Sequence, residues 1–434
     1  MLKLAELLCL HRIKITFLNT HHIHRRLSSC TTAVDNLTTK YPDFFRFETF
    51  PDGLPQDNPR TGDQIPGLLD SMDAVSVPIL REMVTDSGVS CVIADGILGF
   101  TCDVANEIGV PIFYVRTISA ACLWVFFCLP KLIQSGELPF QGNDLDILVK
   151  SVPGMEKYLR RRDLPSFCRS GDVSKNPNIE MYKAEREEIP RAYGLILNTF
   201  EELEGPILRE TRAVCPNIYT IGPLHAHLKS KLAASTAFSN SLWEEDRSCM
   251  AWLDSQPPRS VIYVSFGSLA TMTHGQLMEF WHGLMNSGHK FLWVIRPDSV
   301  AGSKIPEVTK EQEVLAHPAV GGFLTHSGWN STLESVYEGV PMICWPYFVD
   351  QQVNSRLVEV EWKLGLDMKD TCDRSVIEKT VASVMDVRKQ EFLERAGEMA
   401  KSARRCLSEG GSSYCNLERL IGDIKSAQVA VHHG

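Results

Sequence analysis

Gly322-Phe-Leu-Thr-His-Ser-Gly-Trp-Asn-Ser-Thr-Leu-Glu334 is the stretch on which the fold turns. Gly322 to Thr325 reads as a short buried strand, His326 to Trp329 as a polar turn, and Asn330 to Glu338 as a helix that Gly339 stops. Strand, turn and helix make one half of a parallel βαβ unit, and ligands of such sheets sit beyond the carboxyl ends of the strands. A helix that begins there aims free backbone N–H groups and the positive end of its dipole at the crevice, so phosphate is the natural guest. Ser331 with Glu334 three residues on also fits an ordinary capping box, which would only satisfy the helix's own donors. Capping does not account for His326 and Trp329. Nor does it account for a second polar turn, Pro346-Tyr-Phe-Val-Asp350-Gln351-Gln352, after the next strand, Met342 to Trp345.

Outward from this stretch, strands and helices alternate along the chain, as in an α/β, doubly wound parallel sheet. The first half reads as helix Leu2 to Leu10, strand Ile13 to Asn19, helix Ile65 to Ser87, strand Cys91 to Ala94, helix Phe100 to Ile108, strand Pro111 to Val115 and helix Ser119 to Ser135. An irregular stretch, Gly136 to Lys175, precedes helix Asn178 to Ile189, strand Gly194 to Leu197, helix Glu201 to Glu210 and strand Asn217 to Ile221. Residues 224–246 lack apolar periodicity and read as a linker. Expected domains are therefore 1–223 and 247–413, with a last helix over 414–434.

A chain of 434 residues with 44% apolar content suits two domains rather than one core. The net charge of -9 excludes a surface built for nucleic acid or anionic membrane, so any phosphate has to be held locally. Thirteen cysteines without a Cys-x-x-Cys pair fit reduced thiols in the cytoplasm, not a disulfide framework or a zinc site, and no metal site is expected. Met1 to Leu10 is interrupted by Glu6 and reads as a helix instead of a signal peptide. The longest apolar run, Ile118 to Leu129, falls short of the roughly 20 residues of a membrane span. His21, His22 and His24 read as a solvated polar loop, and His11 as a helix-end residue. No Gly-x-Gly-x-x-Gly follows a strand, and Gly283 to Lys290 fails as a P-loop because a strand follows it; both weigh against a nucleotide-dependent oxidoreductase.

The run from Glu313 through His326-Ser-Gly-Trp-Asn-Ser-Thr-Leu-Glu334-Ser to Gly339-Val-Pro and Asp350-Gln351 resembles the donor-binding signature of plant UDP-glycosyltransferases of secondary metabolism. Asp95-Gly96, Ser151-Val-Pro-Gly154, Leu197-Asn-Thr-Phe-Glu201, Ile221-Gly-Pro223 and Tyr263-Val-Ser-Phe-Gly-Ser268 extend the likeness over nearly all the chain, with a lean toward the iridoid and terpenoid branch. The resemblance implies two Rossmann-like domains facing across a cleft, the GT-B arrangement, with the last helix crossing back to the first domain. It implies inverting, metal-independent transfer of glucose from UDP-glucose, a co-substrate and not a cofactor, to a hydroxyl or carboxyl of a small lipophilic metabolite. A monomer is expected. By the same resemblance His326, Asn330 and Ser331 contact phosphate, Glu334 the ribose, and Trp329, Asp350 and Gln351 the sugar, while Ser268 adds a backbone N–H to the phosphates. Asp95 corresponds to the acid that orients a catalytic His.

Two features depart from that pattern. The family's catalytic His lies in a Gly-His turn between the first strand and first helix, and this chain begins at Met1 already in that helix, so an N-terminal domain without its first strand is expected. Where relatives carry a strand and a Trp-Ala-Pro-Gln turn whose Trp stacks on uracil, this chain has Glu307-Val-Thr-Lys-Glu-Gln-Glu313. A lost base costs about 10²- to 10⁴-fold in rate and a lost stack roughly 1 to 3 kcal/mol, so impaired turnover is expected. The alternative is an inactive relative that binds UDP-sugar or aglycone without turnover.

Overall fold

A computed structural model of the chain describes residues 1–30, 33–58, 60, 65–169, 173–232, 245–246, 248–267, 270–295, 308–309 and 311–433. It divides into two compact units: Met1–Ala120 with Ser174–Leu242 and Cys406–Gly434, and Ala121–Val173 with Trp243–Arg405.

In the first unit, β1 (Ile15–Thr20) pairs in parallel with β2 (Phe45–Phe50), Ile15 lying opposite Phe45. A separate four-stranded parallel sheet runs β3 (Val92–Asp95), β4 (Ile112–Arg116), β5 (Gly194–Leu197), β6 (Ile218–Thr220), and no ladder joins β1 to β3 among the described residues. Apolar spacing on helix Leu2–Leu10 drives Leu4, Leu7 and Leu8 into one core with Phe113, Val115, Ile196 and Tyr219 from the sheet. Burying each such leucine is worth roughly 1.5 to 3 kcal/mol. The last helix, Ser412–His433, adds Leu417, Leu420, Ile421 and Ile424 to that core, and Ser413 donates to the Gly222 carbonyl at 2.6 Å.

Four details differ from the sequence reading. The helix expected over Ser119 to Ser135 is two, Ala120–Phe127 and Leu129–Gln134, because Pro130 has no N–H to continue the first and starts the second instead. The expected linker begins as helix Leu224–Lys231, whose Leu224 and Leu228 are buried in the first unit's core; residues 233–244 lie outside those described. His21, His22 and His24 stand on a helix, His21–Cys30, because Thr20 accepts from the Ile23 N–H at its start. His24 packs edge-on against Phe47. Strand β2, with Phe45 and Phe47 alternating with Arg46 and Glu48, was absent from the reading.

The second unit holds β7 (Glu245–Asp246) paired with β10 (Val308–Thr309), and a five-stranded parallel sheet. That sheet comprises β8 (Val261–Ser265), β9 (Lys290–Trp293), β11 (Val320–Thr325), β12 (Met342–Cys344) and β13 (Gly365–Asp367), in the order 13-12-11-8-9. The chain steps from β8 outward to β9, then returns to lay β11 against the other side of β8. This reversal is a topological switch point, where parallel sheets open a crevice at their carboxyl ends. Ile262, Val264, Phe266, Phe280, Leu324, Ile343 and Trp345 fill the core beneath it.

Residues 121–173, which the sequence reading groups with 1–223, belong to the second compact unit. A buried charge cluster is one of the contacts that tie this segment to the second unit. Asp163, fully buried, takes hydrogen bonds from the Arg160 guanidinium at 2.9 and 3.0 Å, and lies 3.2 Å from Lys369 and 3.4 Å from Arg356. Burial alone would raise its carboxyl, but Arg160 and Lys369 overcome that and hold it below the usual carboxylate range. Lys369 is in turn bound to Asp367 at 2.6 Å and to Ser355 at 2.9 Å. Removing one member of a buried charge cluster strands the others at a cost of about 3 to 5 kcal/mol. Asp163→Asn is accordingly expected to lower stability by about that much in urea unfolding, whereas Asp144→Asn, on the exposed part of the same segment, leaves the midpoint unchanged.

Candidate functional site

Strand β11 is buried along its whole length and delivers the chain to the switch point. There Thr325 accepts from the Ser327 N–H at 3.2 Å, and Ser327 takes a φ of 64°, a conformation that costs an L-residue roughly 1 to 2 kcal/mol. This sharp turn places extended Gly328 as the N-cap of helix Trp329–Glu338. The capping-box alternative does not hold: the helix starts one residue earlier than read, no side chain caps it, and Ser331 is its third residue. A helix start without a side-chain cap carries the positive end of the helix dipole toward the crevice, a setting that suits an anion. Gly339, at φ 68°, closes the other end.

The imidazole of His326 lies across two glycines. A Cβ at Gly267, in the turn after β8, would stand 2.3 Å from His326 Nε2, and one at Gly328 would stand 2.4 Å from it. Both turns of the switch point thus need glycine for the ring to lie between them. His326, Ser331 and Glu334 are buried, and Asn330 is exposed. Trp329 is 2% exposed and packs its indole on Trp362 with ring centroids 6.0 Å apart, so what it can offer a ligand is its main chain. Ser268 lies outside the described residues.

The second turn follows β12. Val349 has a φ of 56°, an outlier for a β-branched residue, and it sets Asp350 at the head of helix Gln351–Arg356. Gln351 accepts through Oε1 from the Tyr347 N–H at 2.7 Å and the Phe348 N–H at 3.1 Å, which ties down the turn and leaves its amide N–H group to meet a ligand. Asp350 accepts through Oδ2 from Asn354 at 2.8 Å. The structure thus places His326, Trp329, Asn330, Ser331, Glu334, Asp350 and Gln351 on two turns of one unit and on the helices that follow them.

Asp95 belongs to the other unit, at the carboxyl end of β3. Its Oδ1 accepts from the Ile97 N–H at 3.3 Å and from Arg116 Nη1 at 3.3 Å. Arg116, 3% exposed at the end of β4, also pairs through Nε with buried Glu185 at 2.6 Å, and a Cβ at Gly96 would collide with its Cδ at 2.5 Å. Arg116 and Glu185 were not singled out from the sequence; a lone Arg ending an apolar strand was the available signal. Burial raises the Glu185 carboxyl to about 7, against the pull of Arg116. With the native form holding its proton to higher pH than the unfolded chain, stability falls as pH rises from about 4.5 toward 7. Glu185→Gln is expected to remove that part of the slope when unfolding midpoints are compared across this range.

Among the described residues no group of three or more His, Cys, Asp or Glu side chains could hold a metal, and no helix is long and apolar enough to cross a membrane. The family model for UDP-glucoronosyl and UDP-glucosyl transferase matches residues 211–392, a span that takes in both turns. A 7-deoxyloganetic acid glucosyltransferase of Catharanthus roseus is 52% identical over 98% of this chain and 94% of its own length. A 7-deoxyloganetin glucosyltransferase of Gardenia jasminoides is 40% identical over 97% of this chain and 94% of its own. Among solved structures, Os79 of O. sativa in complex with UDP superposes with a TM-score of 0.80 at 26% identity, covering 98% of this chain and 96% of that one. With its parallel sheets, its switch-point turns and this extent of identity, the chain belongs to the UDP-glucoronosyl and UDP-glucosyl transferase family, on the plant glucosyltransferase side and with the two Rossmann-like domains of the GT-B fold.

Proposed function

We propose that this chain transfers glucose from UDP-glucose, with inversion and without a metal, to a hydroxyl or carboxyl of a small terpenoid of the iridoid kind. The observation that carries the reading is the uncapped N-terminus of helix Trp329–Glu338 beside the Asp350-Gln351 turn. As the bond from the anomeric carbon to the diphosphate oxygen breaks, negative charge grows on the leaving group. Backbone N–H groups at a helix start, with His326 beside them, oppose that charge in a chain whose net charge is -9. Glu334, 6% exposed, accepts from ribose hydroxyls; Asp350 accepts from, and the Gln351 amide donates to, the hexose hydroxyls. Asn330 and Ser331 contribute donors to phosphate, Trp329 its main chain, and Ser268 a backbone N–H. Asp95, held by Arg116, corresponds to the family's orienting acid; the His it would orient, which takes the acceptor's proton, has no match in this sequence, so turnover is proposed to be impaired.

The acceptor class rests on the names of the relatives, a 7-deoxyloganetic acid enzyme at 52% identity and a 7-deoxyloganetin enzyme at 40%. Each relative compared carries a transferase name, which favours an active enzyme over a binding-only one. The proposed domain roles are 1–223 with the last helix, 414–434, for the acceptor and 247–413 for the donor, with 121–173 packed in the same compact unit as the donor half. Reduced thiols point to the cytoplasm, and a monomer suffices for the chemistry.

Calorimetry with UDP and UDP-glucose tests the donor reading, coupled to UDP release with iridoid and phenolic acceptors. Glu334→Ala is expected to weaken UDP about ten- to hundredfold, the worth of a buried hydrogen bond to a charged group. Gln351→Ala weakens UDP-glucose and leaves UDP alone. Unchanged affinities in both variants would sink the assignment. Gly328→Ala, whose Cβ drives into His326, is expected to lower UDP affinity at least about tenfold while the fold survives, read by the same titration with circular dichroism as the control.

A further inference from the structure

The two turns of the donor site come from different βα units, and one buried side chain joins them. Asn354, on helix Gln351–Arg356, is 0% exposed. Its Nδ2 donates to the main-chain oxygen of Ser327 at 3.0 Å and to Asp350 Oδ2 at 2.8 Å. Both amide hydrogens are spent on acceptors, which fixes the orientation of the group: turned over, its oxygen would face a carbonyl and a carboxylate. Its Oδ1 accepts no hydrogen bond among the described residues, so what this side chain does here is donate.

One partner sits at a strained residue and the other directly after one. Ser327 itself has a positive φ and precedes the helix that faces the phosphates; Val349, also at positive φ, precedes Asp350. Such conformations persist where neighbouring groups over-determine them. A single amide that holds the carbonyl of the first turn and the carboxylate of the second fixes both at once, and with them the spacing between diphosphate and hexose contacts.

We infer that Asn354 is a positioning residue that locks the diphosphate turn to the hexose carboxylate, so that the site measures the intact sugar nucleotide and not its two halves separately. This rests on the donor site proposed above. No contact of Asn354 with substrate is needed: its effect on the hexose runs through Asp350, and its effect on the diphosphate runs through Ser327.

The test is a double-mutant cycle on the full chain, read by titration with UDP-glucose and with UDP. Asp350→Ala is expected to weaken UDP-glucose only. Asn354→Ala weakens UDP-glucose about ten- to hundredfold, the loss of a hydrogen bond to a charged group, and weakens UDP to a smaller extent. In the double variant, UDP-glucose binds no worse than about threefold below the weaker single variant, because the two side chains act as one unit. Should Asn354→Ala fail to fold, Asn354→Asp combined with Asp350→Asn re-forms the 350–354 bond with donor and acceptor exchanged. UDP affinity in that pair still falls about tenfold, since a carboxylate then faces the Ser327 carbonyl. Effects that multiply fully in the cycle, or UDP affinity unchanged in the exchanged pair, overturn this inference. If the wild-type chain takes up neither UDP nor UDP-glucose, the donor site itself is wrong, and that result is distinct from the others.

Discussion

Helix Trp329–Glu338 opens with backbone N–H groups that no side chain caps, and the architecture around it answers to that demand. A buried helix start is costly unless something negative or polar meets it. The sheet supplies the setting, because β11 lies against β8 where the strand order reverses, and the glycines at 267 and 328 let an imidazole into the gap. The strained φ of Ser327 is the price of turning a fully buried strand into that helix within three residues.

Support for the site comes from beneath and from far away in sequence. Helix Gln351–Arg356 carries two of the proposed hexose contacts at its head, and Lys369 and Asp163 grip its other end through Ser355 and Arg356. A short helix of this kind has little stability of its own. Its position is set by buried charge and by the Asn354 amide, together with the Tyr347 and Phe348 N–H groups that hold Gln351.

Much of this fold is legible in the sequence. Helix Phe100–Ile108 and strand β5 have the bounds that periodicity and glycine stops dictate, and the parallel alternation was plain in both halves. The two polar turns after β11 and β12 stand out because they are contiguous and polar amid apolar strands, and the roles proposed for their residues come from the family resemblance. Other features escaped for definite reasons. Pro130 splits a helix whose apolar run is continuous, Leu224–Lys231 is too short and too basic to show a period, and β2 hides its alternation behind charged neighbours. Asn354, Arg116 and Glu185 were invisible because their roles depend on a backbone twist at Ser327 and on partners that only the sheet register brings near. The helix start lies one residue before the expected Asn330, because Gly328 takes the N-cap position.

The Asp163 cluster also bears on how such enzymes diversify. Although 121–173 precedes the second half of the chain by a long stretch, it is wired into that half through Arg356 and Lys369. A hybrid spliced between two family members near residue 240 would inherit Asp163 from one parent and its cations from the other. Recombination at that seam therefore tends to preserve activity only where both lineages kept matching ionic partners, so the borrowed segment and the half it serves have to evolve in step.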